Sequence, residues 1–123
     1  MNNNYRFQQM VFQDIAFSKD KAWFCHIYYN ALFSLDLDTY EISLETFLPK
    51  GRSDFNQYSF MEYYNGKLII SPRNAENILI YDIDTKEITT VGIDLHIDGL
   101  HGVFNLFSKV KIYNNNAYIF PGR

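Results

Sequence analysis

Apolar and polar residues alternate along this chain in short runs that are typical of β-strands. The clearest group begins with the aromatic run 58–63, turns at Asn65-Gly66 and continues through the apolar run 68–71. Asn and Gly both tolerate positive φ, so this dipeptide between two apolar runs predicts a β-hairpin. Two further strands, predicted at 78–83 and 87–91, complete a unit of four strands.

The four-stranded unit recurs along the chain. Residues 22–42 align with residues 68–88 without a gap at an offset of 46, and five of the 21 positions are identical. A partial third copy starts near residue 107, where 117–121 matches 68–72 at an offset of 49. A fixed period in this range indicates a repeat architecture. The identical pairs are Asp36/Asp82, Asp38/Asp84, Thr39/Thr85, Glu41/Glu87 and Ile42/Ile88.

The repeat predicts a single domain over residues 1–123, with units at about 9–48 and 56–93 and a partial unit at about 104–123. No window carries the apolar stripe of an amphipathic helix. The strands predicted for the first and third units lie at 11–17, 22–25, 32–37, 41–47, 107–113 and 117–120.

Composition supports an all-β fold and narrows the classes of partner that the protein could bind. Aromatic residues make up 18% of the chain, with eleven Phe and ten Tyr, which favours strands. The net charge of −3 and the scattered cations argue against nucleic acid, whose phosphates require a basic face. No stretch approaches the roughly 20 apolar residues of a membrane helix.

The single cysteine and the N-terminal residues bear on the compartment. Cys25 has no partner for an internal disulfide, which fits a reducing environment. The N-terminus lacks the apolar core of a signal peptide. We therefore expect a cytoplasmic protein. The abundance of Asn, Ile, Tyr, Phe and Lys favours an AT-rich bacterial source.

Four antiparallel strands per 46–49 residues resemble one blade of a β-propeller. Segments 33–42 and 79–88 share an apolar run followed by D-x-D-T-x-E-I, which is similar to kelch-like, NHL-like and streptogramin-lyase repeats. Trp23-Phe24 matches the aromatic pair of the streptogramin-lyase repeat, but Tyr40 and Lys86 stand where that repeat has its turn glycine. The kelch double glycine and the WD dipeptide are absent.

This resemblance covers about residues 9–121 and implies about two and a half propeller-type blades, which form an incomplete ring. A generic antiparallel sheet protein with an accidental repeat is the alternative. Propellers typically close with four to eight blades, and an open stack leaves a blade face and strand edges exposed. We therefore expect either a homo-oligomer or the remainder of a longer propeller as partner.

Candidate ligand-binding residues follow from the same resemblance. In a propeller, the loops between second and third strands share a face with the connections between blades, and that face usually binds. Aromatic rings, amides and arginine suit carbohydrate or protein ligands. A hydrated loop surface without a ligand is the alternative. The candidates are His26, Tyr28, Tyr29, Asn30, Arg73, Asn74, Glu76, Asn77 and Arg123.

Residues 94–101 hold the densest group of potential metal ligands. If this stretch is extended, Asp94, His96 and Asp98 point to one side, and His101 could fold back after Gly99. Two carboxylates and two imidazoles would suit a transition metal. Alternation at an exposed strand edge gives the same pattern for packing reasons alone, and this is the preferred interpretation. We expect no cofactor.

Neither the cysteine nor the repeated acids indicate catalysis. Cys25 and His26 are neighbours in a strand and therefore point to opposite faces. The repeated aspartates are expected to accept hydrogen bonds from backbone N–H groups two residues on. A binding or interaction module without catalytic activity is the resulting hypothesis. The alternatives are a lyase or glycan-active propeller enzyme whose site forms only in a complete ring, and a truncated remnant without function.

Overall fold

The computed structural model describes residues 14–26, 28–49, 57–73, 75, 77–92 and 107–121. These residues form β-strands, turns and loops, and none of them is helical. The strands are β1 (Ala16–Phe17), β2 (Lys21–Cys25), β3 (Ala31–Asp36), β4 (Ile42–Phe47), β5 (Tyr58–Tyr64), β6 (Lys67–Pro72), β7 (Asn77–Asp82), β8 (Ile88–Gly92), β9 (Phe107–Tyr113) and β10 (Asn116–Pro121).

The strands make three antiparallel sheets in chain order. Sheet 1 contains β1 to β4, sheet 2 contains β5 to β8, and sheet 3 contains β9 and β10. Within each sheet, strands that are consecutive in sequence pair with each other, and none of these sheets closes into a barrel within the described part of the chain. The prediction of an all-β chain with two four-stranded units and half of a third is therefore confirmed.

The first strand is shorter than its prediction. β1 comprises Ala16–Phe17, whereas the sequence indicated 11–17. Residues 14 and 15 are not in a strand, and 11–13 lie outside the described residues. Asp14 instead uses its side chain, because its Oδ2 accepts a hydrogen bond from the N–H of Met61 at 3.1 Å. The other strands differ from their predictions by about one residue at an end.

The sequence repeat is also a structural repeat. Lys21 lies opposite Asp36 in sheet 1, and Lys67 lies opposite Asp82 in sheet 2. Because both pairs differ by the same offset of 46, the second and third strands keep one register in both sheets. An ungapped sequence match is what such a shared register requires, since a shift by one residue would exchange the two faces.

The hairpin predicted at Asn65-Gly66 is present. Tyr64 pairs with Lys67, and the two residues between them have φ values of 54° and 82°. Positive φ at both positions is the requirement of the tight turn that matches strand twist. The third unit repeats this solution with Asn114 and Asn115, at 49° and 64°.

The sheets stack through apolar faces. Strands β1 and β2 pack against β5, and β9 packs against β5 and β6. Between sheets 1 and 2, the ring of Trp23 meets that of Tyr81 at 6.1 Å with a tilt of 56°. We call the side of a sheet that faces the next sheet its forward face. The buried core comprises Ala16, Trp23, Cys25, Leu32, Leu48, Tyr58, Met61, Leu68, Ile70, Ala75, Leu79 and Tyr81.

A polar group completes the forward face of sheet 1. The hydroxyl of Ser34 donates to Glu45 Oε2 at 2.5 Å, and Lys21 Nζ lies 3.8 Å from the same carboxylate oxygen. Burial, with the negative charge of Glu45 as a second cause, raises the pKa of Tyr81. Tyr81 therefore stays neutral, and its ring serves the packing between the sheets.

Candidate functional site

Each sheet has two ends with different construction. At the turn end of sheet 1, the N–H of Leu37 donates to the carbonyl of Asp20 at 2.9 Å, which joins the turn after β3 to the turn before β2. At the loop end, the N–H of Leu48 donates to the carbonyl of Asn30 at 2.8 Å. This second bond joins the β2–β3 loop to the segment after β4. The turn end and the loop end therefore lie at opposite ends of the strands.

Asp36 organises the turn end of sheet 1. Its Oδ1 accepts the N–H groups of Asp38 at 2.8 Å and Thr39 at 3.1 Å. The hydroxyl of Thr39 then accepts the N–H of Glu41 at 3.3 Å. Chiefly through the N–H of Thr39, and then that of Asp38, these bonds lower the pKa of Asp36. They occupy Asp36 with backbone groups, as the sequence predicted.

Sheet 2 repeats this arrangement atom for atom. Asp82 Oδ1 accepts the N–H groups of Asp84 and Thr85, each at 3.0 Å, and Thr85 Oγ1 accepts the N–H of Glu87 at 3.3 Å. The pKa of Asp82 is lowered mainly by the Thr85 N–H and then by Lys67, whose Nζ lies 3.2 Å away. The repeated aspartates are turn-forming groups, and the turn end offers no cluster for acid–base chemistry.

The loop end of sheet 1 is organised by His26. This side chain is buried, and its Nδ1 accepts the N–H of Tyr28 at 3.0 Å and the N–H of Tyr29 at 3.3 Å. An imidazole nitrogen that accepts two N–H groups carries no proton, so His26 is neutral with its proton on Nε2. The histidine therefore fixes the loop backbone just as the aspartates fix the turns.

His26 supports two exposed tyrosines. Tyr28 and Tyr29 are 61% and 60% exposed. The His26 ring lies 4.7 Å from the Tyr29 ring, 6.0 Å from the Tyr28 ring and 5.8 Å from the Phe33 ring, all in tilted geometry. We call Tyr28 and Tyr29 with the supporting His26 the aromatic platform. Its rings combine a large exposed area with a backbone held in one conformation.

Asn30 links the aromatic platform to the segment that follows β4. Its Nδ2 donates to the carbonyl of Leu48 at 2.8 Å and to the carbonyl of Pro49 at 2.9 Å. Both amide hydrogens are thereby used in bonds that span 18 and 19 residues of sequence. Asn30 therefore supports the site, and its amide nitrogen is not available to a ligand.

The loop end of sheet 2 is anchored by the backbone of Gln57. The carbonyl of this buried residue accepts the N–H of Arg73 at 2.7 Å and that of Ala75 at 3.2 Å. Arg73 is half-buried, and Asn77 is half-buried at the start of β7. The remaining ligand candidates, Asn74, Glu76 and Arg123, lie outside the described residues.

The metal candidates cannot be placed. Asp94, His96, Asp98 and His101 all lie outside the described residues. Within the residues that the structure does describe, no three His, Cys, Asp or Glu side chains come together as a metal site. Cys25 is buried, and burial raises the pKa of its thiol, which keeps it protonated and unreactive. Cys25 therefore occupies a structural position in β2.

Sequence reasoning missed two features of the loop end. It named His26 as a ligand-binding candidate but did not predict that its Nδ1 accepts the N–H groups of Tyr28 and Tyr29. It gave no role to Gln57, whose backbone carbonyl anchors the second loop. A histidine that directly follows a buried strand and precedes two tyrosines was the available signal for the first. In the described part of the chain, no helix is long and apolar enough to cross a membrane.

No protein-family model matches this sequence, and no curated protein matches it either. Among solved structures, the chain is similar to one chain of the S. cerevisiae assembly of a dbp5 variant bound to nup159, a gle1 variant, ip6 and ADP. The TM-score is 0.51 and the identity 18%, and the match covers 85% of this chain but 23% of that chain. At this identity, the likeness concerns the fold alone.

Proposed function

We propose that this chain is a non-catalytic binding module of β-propeller type, which holds a carbohydrate or protein ligand at the loop end of its sheets. The stacking of three sheets in chain order supports the propeller-type interpretation. So does the shared register of sheets 1 and 2, since blades of a propeller are copies of one four-stranded sheet.

The aromatic platform carries the binding proposal. Two neighbouring tyrosines at 61% and 60% exposure present flat rings with polar tips, which suits sugars and extended peptides. Their backbone is already fixed by His26, so little conformational entropy is lost when a ligand binds. An unsupported loop with the same residues would lose this advantage.

The chemistry of the described loop end favours binding over turnover. The groups that could transfer protons there are engaged elsewhere, because His26 Nδ1 accepts two backbone N–H groups and the Cys25 thiol is buried. Tyr28 and Tyr29 are largely exposed beside these groups. This arrangement suits stacking against a ligand and hydrogen bonding to it.

The test uses three probes: a β-linked glucose trisaccharide, a β-linked N-acetylglucosamine trisaccharide and a capped proline-rich pentapeptide. Amide NMR shifts should change at Tyr28 and Tyr29 with at least one probe. Replacing both tyrosines with alanine should weaken that binding about 10-fold, since each aromatic contact contributes about 0.5–1.5 kcal/mol.

Tyr40→Ala is the matched control, because Tyr40 is 73% exposed but lies at the turn end. It should leave affinity unchanged. If no probe shifts the platform amides at millimolar concentration, or if the control weakens binding equally, the proposal is wrong. Hydrolysis or elimination of a bound trisaccharide would replace it with the enzyme alternative.

A further inference from the structure

His26 forms a turn of the same kind as the aspartates at the turn ends, but with a different acceptor. Asp36 Oδ1 accepts the backbone N–H groups of the residues two and three positions further along the chain. His26 Nδ1 likewise accepts the N–H groups two and three positions further along, which belong to Tyr28 and Tyr29. The same task is therefore performed by a carboxylate at the turn end and by an imidazole at the loop end.

The two acceptors respond differently to acid. A carboxylate accepts hydrogen bonds while it is ionised, and the backbone N–H groups, chiefly that of Thr39, lower the pKa of Asp36. An imidazole accepts at Nδ1 only while that nitrogen carries no proton, because both nitrogens of the imidazolium are donors. A free histidine takes up this proton at about pH 6.5. Mild acid therefore acts on the acceptor of His26 at a pH at which Asp36 still holds its turn.

The position of His26 is suited to the neutral ring and not to the charged one. The side chain is 4% exposed, and the rings of Tyr28, Tyr29 and Phe33 lie 4.7 to 6.0 Å from it. A proton on Nδ1 would bury a charge and point one N–H group at two others, and both effects raise the free energy of this arrangement. Since both tyrosines are more than half exposed, the charged ring reaches water by displacing them.

The charges of the neighbouring elements do not enter the contacts described for this imidazole. Its ring contacts and hydrogen bonds are with uncharged groups, namely the two tyrosines, whose phenols also titrate but at much higher pH, and Phe33. Lys21 and Asp36 lie opposite each other at the turn end, and Glu45 accepts from Ser34. In the described part of the chain, the charged side chains on β2 to β5 and the sheet 2 loop are Lys21, Asp36, Glu45, Glu62 and Arg73.

Two anchors limit how far this loop opens when the imidazole loses its acceptor role. The N–H of His26 donates to the carbonyl of Ala31 at 3.2 Å, and the amide of Asn30 is held by two carbonyls of the segment after β4. None of these groups titrates in mild acid. The segment between the anchors therefore rearranges while sheet 1 stays intact, and that segment carries Tyr28 and Tyr29.

The loop end of sheet 2 uses an acceptor that does not titrate. His26 aligns with Pro72, and the N–H groups of Arg73 and Ala75 are accepted by the backbone carbonyl of Gln57. A backbone carbonyl remains an acceptor whatever the pH. The two loop ends should therefore behave differently in mild acid, which makes sheet 2 an internal control.

We propose that His26 is a pH-sensitive switch, which holds Tyr28 and Tyr29 in the binding arrangement at neutral pH and releases them in mild acid. The switch rests on the proposed function, because it regulates binding at the aromatic platform. Protonation of Nδ1 takes one proton from solvent and breaks two hydrogen bonds but no covalent bond. A ligand is then bound at neutral pH and released where the surroundings are acidic.

The first test needs no ligand. Nitrogen-15 NMR of the intact chain follows the His26 ring and the Tyr28 and Tyr29 amides from about pH 7.5 to about pH 5. The ring should start as the Nε2–H tautomer, and the two amides should shift with the midpoint of its protonation. Their hydrogen exchange, corrected for the intrinsic effect of pH, should accelerate about 5-fold as each loses its acceptor. The amides that should not follow are those of Asp38, Thr39, Arg73 and Ala75.

The second test measures binding of the two trisaccharides and of the capped proline-rich pentapeptide, made from uncharged residues. None of these probes titrates in this range, so a change in affinity belongs to the protein. A probe that shifts the platform amides at neutral pH should bind about 10-fold more weakly at about pH 5, which is the loss expected when both tyrosine contacts are removed.

Two variants assign the response to one histidine. His26→Asn places Oδ1 where Nδ1 stands, so an acceptor remains but does not titrate, and probe affinity should be equal at both pH values. The matched control is the double variant His96→Asn and His101→Asn, which removes the other two histidines of the chain. It should keep the full response to pH.

The outcomes separate the switch from the binding function. A His26 ring that stays neutral to about pH 5, or one that is protonated while the tyrosine amides keep their shifts, would overturn the switch. So would a response that persists in His26→Asn or disappears in the control. A probe that binds equally at both pH values removes the switch and leaves the binding function standing. If no probe binds at either pH, the binding function fails, and the NMR titration still decides whether His26 releases the loop.

Discussion

The two ends of the stacked sheets follow different rules. The turn ends of sheets 1 and 2 share Asp, Asp, Thr and Glu at equivalent positions and make matching hydrogen bonds. The loop ends have no residue in common, since residues 26–30 align with 72–76 without a single identity. The hydrogen bonds of the turns determine which residues occupy the turn ends. The residues of the loop ends differ between the sheets, and the aromatic platform lies at the loop end of sheet 1.

The largest effect is expected in the core that both ends share. Trp23 is 2% exposed, contacts Tyr81, and donates its indole N–H to Ser18 Oγ at 2.9 Å. Trp23→Ala should lower the free energy of unfolding by about 3–5 kcal/mol in urea titrations. Trp23→Phe, which keeps an aromatic ring, should lose less. A loss below about 1 kcal/mol for Trp23→Ala would contradict the stacking of sheets 1 and 2.

A smaller, local effect is expected at the loop end. His26→Phe preserves ring volume but leaves the N–H groups of Tyr28 and Tyr29 without their acceptor, which should cost about 1 kcal/mol. Amide hydrogen exchange should accelerate at those two residues and stay unchanged at Asp38 and Thr39. Phe33→Leu is the control that alters ring packing but keeps Nδ1. Equal acceleration at both ends would argue against independent ends.

The turn ends should respond to glycine in the same way. Tyr40 and Lys86 have φ values of 63° and 65°, where side chains are strained by about 1–2 kcal/mol. Tyr40→Gly and Lys86→Gly should each raise the free energy of unfolding by about 0.5–1 kcal/mol, after the entropy of the unfolded chain is included. Asp38→Gly, at a position without positive φ, should destabilise. Opposite signs at Tyr40 and Lys86 would break the equivalence of the turns.

The smallest expected effect is on the stability of the fold in acid. Because the folded-state pKa values of Asp36 and Asp82 are lowered, their contribution is present above the unfolded value of about 3.9 and is lost as the pH falls through the folded values. Asp36→Asn and Asp82→Asn should lower the unfolding midpoint slightly at pH 7, and this difference should shrink as the pH falls below about 3.9. Asp38→Asn and Asp84→Asn should be silent across this range. A difference that persists in acid would assign the effect to geometry and not to charge.

The sequence was informative where a local rule fixes the backbone. The hairpin at Asn65-Gly66 was predictable because the turn needs positive φ at both positions. The aspartate turns were predictable because the acceptor and its donors lie within three residues. The positive φ of Tyr40 and Lys86 was less apparent, since neither residue is of a type that favours this conformation.

Long-range contacts at the loop end could not be predicted in this way. Asn30 bonds to carbonyls 18 and 19 residues away, and Gln57 receives the loop of sheet 2 through its backbone, which leaves no side-chain signature. His26 was named as a ligand-binding candidate, but its role as an acceptor for the loop backbone could not be predicted, because that role depends on the path of the loop. The strand that contains β1 was predicted at 11–17, but Asp14 accepts the N–H of Met61 in β5 with its side chain and lies outside the strand.

The turn-end backbone bonds carry an evolutionary consequence. The N–H of Leu37 reaches the carbonyl of Asp20, and the N–H of Ile83 reaches that of Gly66, so each bond closes within its own sheet. A gene duplication that copies one complete unit would therefore also copy both partners of each of these hydrogen bonds. Arrays of this kind can lengthen or shorten by complete units, and selection on a newborn copy falls mainly on its apolar faces and its loops.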